Sequence, residues 1–96
     1  MSSWSSNRRA EDDLLDIYVH SVEAFGRRQA VEYIHGFEHV FELLASNPRM
    51  GRRAETIAPN VRRHEHGRHV ILYEEIPDGV LILAVVHANS MRRLRL

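Results

Sequence analysis

The sequence predicts an α+β fold: an N-terminal helical hairpin packed on one face of a small, mainly antiparallel sheet, in the order (β)ααβββ. Three features carry this expectation. Apolar residues recur at three- and four-residue spacing through two consecutive segments before Pro48. Gly26 separates those segments and leaves room only for a very short turn. Beyond residue 60 the pattern changes to β-branched runs, His69-Val70-Ile71-Leu72-Tyr73 and Val80-Leu81-Ile82-Leu83-Ala84-Val85-Val86-His87, joined by the turn sequence Pro77-Asp78-Gly79.

Taken in order, residues 1–7 form a short edge strand or a lead-in. Asn7 is placed to cap the first helix, and Glu11-Asp12-Asp13 falls where a helix N-terminus favours negative charge. Leu14, Ile17, Tyr18, Val22 and Phe25 make its apolar stripe, and Gly26 ends it. The second helix starts near Arg27 with a stripe of Ala30, Tyr33, Ile34, Phe37, Val40, Phe41 and Leu44. Its polar face carries Glu32, His35, His39 and Glu42. Asn47-Pro48 closes it, because proline disfavours helix in the preceding residue. Residues 49–60 read as a connecting loop, and strands are expected at about 61–66, 69–76 and 80–88. The last of these is apolar on both faces, so it belongs in the middle of the sheet. Residues 91–96 form a basic tail. With no internal repeat, residues 1–96 read as one domain.

A chain of 96 residues with 44% apolar residues can bury one core but not two independent ones. Its longest apolar run, Val80–Val86, falls far short of the ~20 residues of a membrane helix. The N-terminus has no apolar signal segment, so a cytoplasmic location is expected and no membrane partner. The absence of cysteine excludes thiol catalysis, disulfides and cysteine-based zinc sites. A net charge of zero hides an asymmetry. Residues 1–42 hold eight acids against four arginines, net −4, whereas residues 43–96 hold nine arginines against five acids, net +4. Every basic residue is arginine, the residue best suited to gripping carboxylate or phosphate bidentately.

Several motifs invite a chemical reading. His35-Gly36-Phe37-Glu38-His39 matches H-x-x-E-H, a zinc-protease pattern. Phe37 belongs to the core stripe, however, and no downstream acid completes a site, so exposed histidines are the simpler reading and no metal is expected. His64-Glu65-His66 with His69 reads as a strand end and turn with solvated imidazoles, available for partner contact. Arg62 and Arg63 alternate across their strand. One is free to pair with Glu74 or Glu75 while the other meets a partner. Arg92, Arg93 and Arg95 form a basic patch suited to DNA or an acidic surface. No acid–base–nucleophile spacing stands out, and no cofactor is implied.

In sequence order, the chain carries Ala10 with Asp13-Leu14 and Ile17, then Phe25-Gly26, Gln29-Ala30 and Tyr33. Asn47-Pro48-Arg49-Met50-Gly51-Arg52 follows, then Val61-Arg62-Arg63, His69-Val70-Ile71-Leu72-Tyr73, and Val85-Val86-His87 with Met91. In these pieces, over residues 8–92, it resembles the ParE toxins of the RelE/ParE toxin–antitoxin superfamily. The resemblance implies a toxin that is not an enzyme, inhibits DNA gyrase, and is neutralised by a ParD-type antitoxin in a hetero-oligomer. An indirect contact with DNA through the complex is also compatible with the resemblance. It implies target-binding residues among Arg62, Arg63, His69, His87, Met91, Arg92 and Arg93. The two helices would leave a groove for the antitoxin, with Tyr18, Val22, Tyr33, Phe37 and Phe41 as candidates to line it. The alternative is a RelE-type ribosome-dependent mRNA endonuclease using Arg62, His69, Tyr73 and His87. The chain departs from that pattern, with no lysine and no tyrosine after Tyr73. A third reading is a non-toxic binding or regulatory module.

Overall fold

The computed structural model describes every residue except Met1 and Arg95. The first residue of the lead-in and one arginine of the basic tail therefore lie outside the described residues. The elements are β1 (Ser3–Ser6), α1 (Arg8–Phe25), α2 (Arg27–Ser46), β2 (Arg52–Arg53), β3 (Val61–His66), β4 (His69–Ile76), β5 (Gly79–His87) and a 3-10 helix over Ala88–Arg93. They build the expected helical pair on a small mixed sheet, whose fifth strand, β2, the pattern does not predict. The strand order is β1-β5-β4-β3-β2. β1 is the edge strand anticipated at the N-terminus, and it pairs parallel with β5 from Ser3↔Gly79 to Ser6↔Ile82. All other pairings are antiparallel.

The local signals act as expected. The Asn7 side chain accepts the Ala10 N–H at 2.8 Å and caps α1. Gly26, at φ 88°, alone joins the helices, and its N–H reaches the Val22 carbonyl at 2.9 Å. β5 lies between β1 and β4, which explains why both its faces are apolar. A register shift between Leu72 and Tyr73 marks a bulge against β5. Val80 and Ile82 before the bulge, and Val85 after it, all reach the helix-side core, whereas Ala84 faces the other way.

That helix-side core contains Ile17, Phe37, Phe41 and Leu44 over Ile71, Tyr73, Ile82 and Val85. Trp4 on β1 adds an edge contact to Phe41, with ring centroids 5.0 Å apart. The opposite sheet face has its own core, in which Val61, Val70, Leu72 and Ala84 are covered by Ala54, Ile57 and Ala58 from the loop and by Met91 and Leu94 from the C-terminal segment. Two expectations change here. The segment 49–60 is a lid on the second face rather than a plain connection. The described part of the C-terminal segment is a 3-10 helix anchored by Leu94, which is 8% exposed.

Tyr73 fixes the lid's start. Its buried hydroxyl accepts the Gly51 N–H at 2.8 Å and donates to the Pro48 carbonyl at 2.7 Å. Gly51 is required by this approach, since a Cβ there would overlap the Tyr73 ring and the Arg63 carbonyl.

Candidate partner-binding groove

On α2, residues four apart share a face, so Tyr33 and Phe37 stack successively over the sheet. On β3, the two-residue alternation sends His64 and His66 to the helix side and Glu65 to the other. These two periods meet where β3 turns into β4. Gly36 lets α2 come close, for a Cβ there would stand 3.0 Å from the His66 ring. His66 stacks on Tyr33 at 5.6 Å and meets Phe37 edge-on at 4.7 Å. Cross-strand pairing then sets His69 opposite His66 and also opposite His87, and the rings of His69 and His87 lie 5.5 Å apart.

This cluster stands at one end of a groove of about 1420 Å³ between the Gly26 end of the helical pair and the sheet. α1 supplies Arg9, Asp13, Asp16, Ile17 and His20 to the groove, and α2 supplies Glu32, Tyr33 and Gly36, three acids against one arginine. The β3–β4 turn, the end of β5 and the 3-10 helix supply Arg68, His69, Val86, His87, Arg93 and Leu94. Phe25 also lines it and is 69% exposed, the most open of the large apolar side chains among the described residues. The helix wall is therefore acidic and the sheet wall basic, with apolar groups between.

Hydrogen bonds fix the polar groups. The Tyr33 hydroxyl lies 2.7 Å from His69 Nδ1 and 3.4 Å from the His66 carbonyl. Two arrangements satisfy these contacts: the phenol donates to Nδ1, or Nδ1–H donates to the phenol oxygen while the phenol proton goes to the His66 carbonyl. His87 Nδ1 accepts the Asn89 N–H at 3.1 Å, which places the neutral ring's proton on Nε2. Burial, then His64, lowers the His66 pKa; burial, then His87 and His66, lowers that of His69. Burial raises the Tyr33 hydroxyl, partly offset by Arg68. Asp13 Oδ2 accepts the Val85 N–H at 2.9 Å, joining α1 to β5 beyond the end of β1. Burial raises the Asp13 carboxyl above its ordinary value, against the opposing Val85 hydrogen bond and Arg9.

The sequence-derived candidates divide among several places. Of the five proposed to line an antitoxin groove, only Tyr33 does so. Tyr18 and Val22 are half-buried on α1 outside it, and Phe37 and Phe41 are fully buried core residues with no surface to offer. Of the target-binding set, His69, His87 and Arg93 line the groove. Arg92 is exposed, and Met91 is half-buried against the second core. Arg62 donates to the Gly51 carbonyl at 2.8 Å, and Arg63 reaches Glu65 at 3.2 Å beside Arg52 at 2.6 Å; the arginine pairing expected with Glu74 or Glu75 is not among these contacts. Glu75 pairs instead with Arg49 at 3.7 Å. Burial raises Glu65, but the Arg52 hydrogen bond and the charges of Arg52 and Arg63 outweigh it and hold the carboxyl below its ordinary value.

Of Arg62, His69, Tyr73 and His87, the structure brings together two separate pairs, His69 with His87 and Arg62 with Tyr73. Arg62 and Tyr73 face each other across β3 and β4 four residues from the His66–His69 pair, about 13 Å along the strand. His35 and His39 are exposed on α2. Among the described residues, no three His, Asp or Glu side chains gather where a metal ion could be held. Asp13, Asp16, His20, Phe25 and Arg68 were not singled out by sequence reasoning as groove residues. A large apolar residue beside the helix-ending Gly26 was the one available signal.

Comparison with known proteins agrees with this architecture. The family described as the ParE toxin of type II toxin-antitoxin system, parDE, matches residues 6–91. The chain is 32% identical over 96 residues to Toxin ParE1 of Caulobacter vibrioides, covering 100% of this chain and 99% of that protein. It is 29% identical over 79 residues to Toxin ParE1 of Mycobacterium tuberculosis, covering 81% of each. A solved chain from the chromosomal ParDE TA system of P. aeruginosa superposes with a TM-score of 0.76 at 25% identity. That match covers 91% of this chain and 96% of the other.

Proposed function

This chain belongs to the ParE toxin family of type II toxin–antitoxin systems, and from that premise we propose that it inhibits DNA gyrase stoichiometrically and is silenced by a ParD-type antitoxin. The observation that carries the reading is the groove: one concave surface with an acidic wall, a basic wall and an apolar floor. It suits an amphipathic segment from a partner that orders on binding. The solved relative comes from a ParDE system, which supports an antitoxin as that partner. Gyrase and its DNA place the toxin's action in the cytoplasm. Among the described residues no helix is long and apolar enough to cross a membrane.

The test is induction in a bacterial host, alone and together with a cognate ParD-type antitoxin. Growth arrest with loss of negative supercoiling, relieved by co-expression, supports the proposal; unimpaired growth at high expression refutes it. An mRNA endonuclease is the competing reading, favoured by the proximity of His69 and His87 in the groove. It has Tyr73 buried and Arg62 engaged by Gly51. Messenger cut in the ribosomal A site after induction would favour it over gyrase inhibition.

A further inference from the structure

We infer that His69 and His87, flanked by Arg68 and Arg93, form a carboxylate-binding subsite that anchors one acidic side chain of the antitoxin segment. This inference rests on the groove being the antitoxin's seat.

Three observations converge. First, both imidazoles have their inner nitrogen occupied, His69 Nδ1 by the Tyr33 hydroxyl at 2.7 Å and His87 Nδ1 by the Asn89 N–H at 3.1 Å. The neutral His87 ring must then carry its proton on Nε2 and is a donor before any ligand arrives; the Tyr33 contact admits both tautomers of His69, which donates from Nε2 when the phenol gives its proton to Nδ1. Second, the pair is held rigidly. His69 and His87 are cross-strand partners, and the Ala88 N–H binds the Arg68 carbonyl at 2.9 Å, clamping the two strand ends together. Third, Arg68 and Arg93 line the same groove as the two imidazoles, on its sheet side. Donors of this kind, partly withdrawn from water, bind carboxylate or phosphate through charge-assisted hydrogen bonds.

The opposite wall decides between these anions. Asp13, Asp16 and Glu32 line the same groove from the helices, against Arg9, which pairs with Asp13 at 3.7 Å, so that wall keeps a net negative charge. A nucleic-acid strand carries a charge on every phosphate and would have to run against these carboxylates. A peptide can place one acid on the sheet side, apolar residues against Ile17, Phe25 and Leu94, and a basic residue toward the helices. The polarity of the groove therefore favours a mixed-charge peptide with a single anchoring Asp or Glu.

The test separates the two nitrogens of His87. Asparagine reproduces Nδ1 and keeps the Asn89 contact while losing the outward donor; glutamine reproduces Nε2 and does the reverse. Affinity of the full chain for a purified cognate ParD-type antitoxin protein is measured for wild type, His87→Asn and His87→Gln. His87→Asn is expected to weaken binding about tenfold or more, and His87→Gln to stay within about threefold. The opposite order would make His87 only a backbone cap and overturn the subsite. Equal affinities for all three would also overturn it while leaving the groove as the antitoxin seat. Failure of the wild-type chain to bind that protein would overturn the functional reading and the subsite together. A 12-nucleotide single strand that competes with the protein at the wild-type site, and loses that ability in His87→Asn, would replace the carboxylate with phosphate. Long-range 15N spectra of the free chain are expected to show protonated Nε2 on His87. Protonated Nδ1 on that ring would contradict the geometry on which the inference stands.

Discussion

The Tyr73 hydroxyl accepts the Gly51 backbone N–H at 2.8 Å and passes its own proton to the Pro48 carbonyl at 2.7 Å. A residue that a nuclease reading would use as an acid or base is thus the pin between β4 and the segment that begins covering the second sheet face. Burial pushes its hydroxyl pKa up, against the opposing Gly51 hydrogen bond. The ring fills the helix-side core while the oxygen satisfies a buried backbone donor.

Tyr73→Phe keeps the ring and strands the Gly51 N–H. A loss of about 1–3 kcal/mol in unfolding free energy is expected, the cost of one buried unpaired polar group. Urea denaturation measures it, and amide exchange at Gly51 is expected to accelerate. An unchanged midpoint would mean that water replaces the hydroxyl and that the pin is dispensable.

Asp13 does for β5 what another strand would do, binding the Val85 N–H at 2.9 Å where β1 has already ended. Its folded pKa is raised above 3.8 chiefly by burial. Ionisation therefore costs stability, a cost absent below 3.8 and fully present once pH exceeds the folded value. Asp13→Asn keeps an acceptor and removes the charge, so it is expected to be neutral or mildly stabilising at pH 7. Asp13→Ala orphans the Val85 N–H and is expected to lose about 1–3 kcal/mol. Thermal melts of the pair check the ordering, and equal losses in both would contradict it.

The histidine cluster predicts acid sensitivity. The folded pKa of His69 lies below 6.5, first because of burial and then because of His87 and His66. A depressed imidazole contributes stability that is present above 6.5 and is lost as pH falls from there through the folded value. Arg68 and Arg93 on the same wall add to the cost of charging the ring, and Asp13, Asp16 and Glu32 across the groove oppose it. His69→Asn preserves an acceptor for Tyr33 without a titrating ring. Between pH 7.5 and 5 the wild type is expected to lose more of its Tm than this variant. Parallel curves would contradict the prediction.

The salt bridges at the β2 edge predict little. The Arg52–Glu65 contact is 2.6 Å, but the arginine side chain is 72% exposed. Arg52→Ala is therefore expected to cost less than about 1 kcal/mol. A larger loss in chemical denaturation would show that β2 itself depends on the pair.

Much of the fold was legible because local signals and global structure agree. Asn7, Gly26 and Asn47-Pro48 bound the helices where the chain bends, and the alternation in β3 and β4 fixes their extent. β2 was not legible: two adjacent arginines carry no apolar alternation, and their pairing with Arg62 and Arg63 is set by distant residues. The lid was hidden because Ala54, Ile57 and Ala58 are small and follow no period. The groove was read only in part. Tyr33, Phe37 and Phe41 lie on one helical stripe, and periodicity cannot say which of them the sheet covers. The sheet buries the latter two, and only Tyr33 reaches the opening. His69 and His87 were singled out separately, but their contact arises from strand register, which no single segment encodes.

Supercoiling of relaxed plasmid by purified DNA gyrase, titrated with the folded chain, is the most direct measurement of the central claim. Activity should fall in proportion to added toxin and reach its floor near equimolar ratio, with the plasmid intact and no turnover by the toxin. Full supercoiling at large molar excess would contradict the account.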